Sequence, residues 1–112
     1  GHANSPEDML RRLETMVLMT GMDLPLAAIR EQITSAVTII VQQRREKSGA
    51  RRISHISWVR GLNRDDLRYE VQHLCHYEEN KGYVFDSDAI SEFVELEGMD
   101  AGKVHFINGG VN

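Results

Sequence analysis

The sequence predicts an α+β fold, with two N-terminal helices packed on an antiparallel β-meander and a further helix near the C-terminus. Three observations carry this. Apolar residues recur at helical spacing through the first 36 positions; β-branched runs broken by turn signals follow; and an acidic amphipathic stretch comes after them.

The first helix is the most clearly written. Ser5-Pro6-Glu7-Asp8 supplies a hydroxyl for the unpaired N–H groups, a proline at the first helical position and acids in the first turn. Met9, Leu10, Leu13, Met16 and Val17 then fall on one face as far as about Met19, and Gly21 stops the helix. From Pro25 the pattern repeats, with Leu26, Ile29, Ile33 and Ala36 on one side and Arg30, Glu31 and Gln32 facing out. Neither helix can bury its stripe alone, and a sheet is the natural cover.

Residues 37–44, VTIIVQQR, read as a strand because β-branched side chains pack well on a pleated surface. Arg45-Glu46-Lys47-Ser48-Gly49 makes the turn, and residues 52–60 return as the partner strand. After a second turn at 61–66, residues 67–77 alternate so that Leu67, Tyr69, Val71, His73 and Cys75 share a face. Tyr83-Val84-Phe85 allows a short fourth strand. Asp86 or Ser87 caps a helix carrying Ile90, Phe93, Val94 and Leu96 that ends at Gly98; residues 103–107 suit an edge strand, and 108–112 are expected to fray.

At 112 residues the chain is one domain at most. The largely apolar run from Val37 to Val41 is far too short to cross a bilayer, and no basic segment followed by a hydrophobic stretch directs secretion. A single cysteine, Cys75, forms no internal disulfide and suits a cytoplasmic setting. The net charge of −4 is unevenly spread: residues 1–60 carry nine Lys and Arg against six acids, residues 61–112 four against eleven. Arg44, Arg45, Lys47, Arg51 and Arg52 crowd the first hairpin, where they read as a solvated tip. The acidic balance, with Trp58 the one exposed-looking aromatic near those cations, argues against nucleic acid.

His73, Cys75 and His76, with His55 on the neighbouring strand, invite a zinc reading. Regular alternation sends His73 and Cys75 to one face and His76 to the other, so they converge only if a bulge intervenes. Cys75 at a strand centre lacks the electropositive surroundings of a nucleophile. Met9, Met16, Met19 and Met22 read as a packing face, part of it an interface.

Several stretches together resemble a known family. His2-Ala3-Asn4-Ser5-Pro6, residues 12–17 (RLETMV), 21–26 (GMDLPL), 28–33 (AIREQI) and 53–56 (ISHI) closely resemble the C-terminal part of the type II/IV secretion ATPases. The most similar branch is the one that drives tight-adherence (Flp-type) pilus assembly. The resemblance runs in unbroken order over about residues 2–60. It implies that residues 1–60 are the end of a RecA-like ATPase domain, while 61–112 continue with strands and the acidic helix.

It also implies a nucleotide-binding core preceding Gly1, a hexameric parent using ATP and Mg²⁺, and a cytoplasmic location at the inner membrane beside a secretion or pilus platform protein. His2 matches the family's histidine box near the γ-phosphate; the same Gly-His dipeptide is also what tag removal leaves behind. Arg11, Arg12, Arg30, Arg51 and Arg52 are candidates for subunit or phosphate contacts, since the guanidinium fork is always charged and bidentate. No Gly-Lys-Ser or Gly-Lys-Thr occurs, so this segment alone has no cradle for ATP. A different class of function, a non-catalytic module binding a partner protein through its acidic half, stands as the alternative.

Overall fold

The computed structural model describes residues 5–21, 23–98 and 104–111, the last of these as backbone. The element order is α1 (Pro6–Met19), α2 (Leu26–Ala36), β1 (Ile39–Arg45), β2 (Arg51–Leu62), β3 (Tyr69–Glu78), β4 (Gly82–Phe85), α3 (Ser87–Glu97) and β5 (Val104–Val111). The fold is α+β. Strands β1 to β4 form an antiparallel sheet in the spatial order β4-β3-β2-β1, and β5 lies parallel to β1 on its far edge.

Local chemistry sets the helix ends. The Ser5 hydroxyl accepts from the Asp8 N–H at 3.0 Å, and Gly21 leaves α1 at φ 80°. Pro25 stands just before α2, its carbonyl accepting from the Ile29 N–H at 3.1 Å. Asp86 caps α3 through the Ala89 N–H at 3.0 Å, and Gly98 ends it.

Helices α1 and α2 cover one face of the sheet at the end where β2 turns into β3. Met9, Leu10, Ile29, Ile33, Val37, Ile40 and Val59 are buried there, with Tyr69 and Val71 packed beside them. Helix α3 covers the other face, where Ile39, Val41, Trp58, Leu74 and Ala89 form a second core with Ile90 and Phe93 against it. Trp58 is 1% exposed and meets Phe93 edge-on, which corrects its reading as an exposed aromatic. Residues 60 and 61 both lie within β2, where the pairing with β3 shifts by one residue between Val59 and Gly61.

Other expectations change too. Arg30 does not face out: its Nε donates to Glu14 Oε1 at 3.2 Å and its Nη1 to the Leu67 carbonyl at 2.9 Å. Glu14 is 7% exposed and also accepts from the Tyr69 hydroxyl at 2.8 Å, so one buried carboxylate ties α1, α2 and β3 together. Leu26 and Ala36, assigned to the apolar side of α2, are exposed. Met9 is buried, but Met16 and Met19 are 62% and 80% exposed; Met22 lies outside the described residues. The C-terminal strand pairs with β1 as far as Val111, where fraying was expected from 108.

Candidate functional site

The β1–β2 turn and the end of β3 form the most chemically loaded region of the surface. The turn is closed by two backbone bonds, Glu46 N–H to Ala50 O and Gly49 N–H to Glu46 O, both 2.9 Å, with Gly49 at φ 91°. Below it a cleft of about 570 Å³ is lined by Arg44, Arg45, Lys47 and Arg52, by Glu46 and Glu79, and by Tyr77.

The cations differ in their surroundings. Arg52 donates through Nε to Glu46, and its guanidinium lies over the Tyr77 ring, 4.1 Å from the centroid. That hydrogen bond raises the arginine further and holds the Glu46 carboxyl below the usual range. Tyr83 meets Tyr77 edge-on at 5.2 Å, completing a rigid wall. Arg44, Arg45 and Lys47 make no ion pair and no side-chain hydrogen bond among the described residues.

Beside the cleft, His55, His73 and His76 meet on one face. Ile56 pairs with Cys75 but Ser57 pairs with His73, so Leu74 is an extra residue in β3, a β-bulge. The bulge turns both Leu74 and Cys75 toward α3 and brings His76 round to the side of His73, contrary to the regular alternation read from the sequence. The His55 ring lies 4.8 Å from His73 and 6.3 Å from His76.

Each imidazole has a partner: His73 Nδ1 is 2.7 Å from the Ser57 hydroxyl, His55 Nδ1 is 3.2 Å from Ser54, and His76 Nε2 is 3.1 Å from Glu78. Burial, then the neighbouring His73, His76 and Arg44, push His55 below its ordinary value. No three His, Cys, Asp or Glu among the described residues are placed to share a metal ion. Cys75 is buried, and burial raises its thiol, which disfavours the thiolate.

The arginines singled out from the sequence are not brought together. Arg11 and Arg12 lie on the exposed side of α1, Arg12 within 3.7 Å of Asp8. Arg30 binds the β2–β3 turn, whereas Arg51 and Arg52 start β2 at its opposite end. Twelve strand residues at ~3.3 Å each separate those sites by about 35 Å. His2 lies outside the described residues. The imidazole face went unread because a bulge leaves no mark on residue type. Arg44, Arg45 and Lys47 were visible as a charge run, but the cleft was not.

No protein-family model matches the chain, and no curated protein matches it. Among the described residues no helix is long and apolar enough to cross a membrane.

Proposed function

We propose that this chain is the C-terminal coupling segment of a hexameric secretion or pilus-assembly ATPase, in which it passes the nucleotide state of a RecA-like core to subunit packing. The parent hydrolyses ATP with Mg²⁺ on the cytoplasmic side of the inner membrane and moves a pilin or secreted protein through a platform partner. The single observation that carries this reading is the ordered string from His2 to Ile56, five motifs in the family's sequence order.

The surface supports it. Met16, Leu18 and Met19 at the end of α1 are 62%, 53% and 80% exposed, and Leu24 and Leu26 before and at the start of α2 add 37% and 45%. Five large apolar side chains in water around the α1–α2 junction are what a segment that packs on a core or a neighbouring subunit presents. The chain alone has no glycine-rich loop and lysine to hold β- and γ-phosphates, so by itself it does not turn over ATP.

The test is the parent reading frame. Expression of the full protein encoded around this segment yields Mg²⁺-dependent ATPase activity and a hexamer by light scattering. Full-length protein with no phosphate-binding loop refutes the motor. The non-catalytic module is favoured by one observation: Val94 and Leu96, on two sides of acidic α3, are 52% and 63% exposed, apolar side chains among carboxylates that a partner's surface would cover.

A further inference from the structure

We propose that the cleft under the β1–β2 turn is a binding site for a phosphate-bearing anion of two or more charges, gripped by Arg44, Arg45 and Lys47. The chain as a whole carries −4, yet four cations converge on this cleft against two carboxylates. One of those carboxylates, Glu46, is already engaged by Arg52. Arg44, Arg45 and Lys47 are left facing a concave surface with Glu79 as the remaining acid.

Concentrated like charge of this kind raises the local anion concentration, and guanidinium groups match phosphate oxygens two at a time. The volume of about 570 Å³ lies within the range of small-molecule sites. The frame is firm: Arg44 and Arg45 end a paired strand, the turn is pinned by its two backbone bonds, and Arg52 is held against Tyr77.

The kind of ligand follows from what the cleft lacks. Among the described lining residues the aromatic is Tyr77, and the guanidinium of Arg52 occupies one face of its ring, so a nucleobase does not stack on that face. Recognition therefore rests on phosphate oxygens, and a diphosphate binds as well as a nucleoside triphosphate. The same chemistry is offered by free polyphosphates and by lipid headgroups that carry a phosphomonoester. Nothing in it depends on the motor reading.

The experiment titrates the 112-residue chain with sodium pyrophosphate and with ATP by calorimetry at low ionic strength, and separately co-sediments it with vesicles containing phosphatidylinositol 4-phosphate, whose headgroup carries a phosphomonoester. Both soluble ligands are expected to bind one per chain with similar affinity. Arg44→Gln/Arg45→Gln/Lys47→Gln is expected to weaken binding about tenfold or more, the loss of charged hydrogen bonds. Arg11→Gln/Arg64→Gln/Arg68→Gln, which removes as much charge elsewhere, is expected to change it less than about twofold. Circular dichroism checks folding, and single Arg45→Gln replaces the triple variant if that variant unfolds.

Vesicle binding without soluble-ligand binding, abolished by the turn variants, identifies the headgroup as the source and upholds the site. No binding of either kind, equal loss in both triple variants, or a strong preference for ATP over pyrophosphate overturns the proposal.

Discussion

Replacing Glu14 by alanine tests the main joint of the fold. The carboxylate is 9% exposed as a side chain and has two partners, Arg30 Nε at 3.2 Å and the Tyr69 hydroxyl at 2.8 Å. Removal leaves the Tyr69 hydroxyl without that acceptor and the Arg30 guanidinium with the Leu67 carbonyl. A hydrogen bond to a charged group contributes about 1.5–3 kcal/mol, and breaking a buried ion pair costs about 3–5 kcal/mol. Arg30 is 22% exposed, so water recovers part of its solvation and the pair belongs below that range. Alanine also favours the helix by a few tenths of a kcal/mol.

The expected net loss is about 3 kcal/mol, or roughly 12 °C in Tm for a domain of this size. Urea unfolding followed by the fluorescence of Trp58, which is 1% exposed, measures it. Tyr69→Phe is expected to cost about 1–2 kcal/mol. The cycle of Glu14→Ala, Arg30→Ala and the double variant is expected to show coupling of about 1–2 kcal/mol. A Glu14→Ala loss below about 1 kcal/mol, or coupling within about 0.5 kcal/mol of zero, refutes the claim that this carboxylate joins the two helices to the sheet.

Two further expectations follow from local chemistry. Ser5→Ala deletes the acceptor 3.0 Å from the Asp8 N–H and is expected to cost about 1 kcal/mol of stability, read from the same urea curves. His55, pushed below its ordinary value by burial and then by His73, His76 and Arg44, binds its proton more readily in the unfolded chain; stability present above the ordinary value of 6.5 is lost as pH falls through the folded value. The urea midpoint is therefore expected to drop between about pH 7 and pH 5, and to drop less in His55→Gln.

The helices were legible because their ends are chemical. Ser5, Pro6 and Gly21 around α1, and Asp86 and Gly98 around α3, act through hydrogen bonds and dihedral angles that lie within a turn of the residue concerned. The strands were legible as runs, since β-branched and alternating residues declare a half-buried pleated surface. Arg30 was misread because helical periodicity sees a charged residue and assigns it to water. The partners that bury it are 16 and 37 residues away, and nothing local announces them. The anion cleft was legible only as composition, since a charge run says nothing of concavity or of which acid is already engaged.

The bulge at Leu74 shows why regular alternation had to fail. In an even strand starting from Val71, which packs with the α1/α2 core, His73 and Cys75 face that side while Leu74 and His76 face α3. That arrangement puts an imidazole against the apolar layer of Trp58, Phe93 and Ala89, where an unpaired ring nitrogen costs about 1–3 kcal/mol. It also leaves Cys75 on the open face. One extra residue reverses both placements: Leu74 and Cys75, 5% and 4% exposed, are buried, and His76 reaches Glu78 on a wetter surface. The same insertion gathers His73 and His76 with His55 next to Arg44, so the charge pattern bordering the cleft follows from the packing demand of α3 on the opposite face.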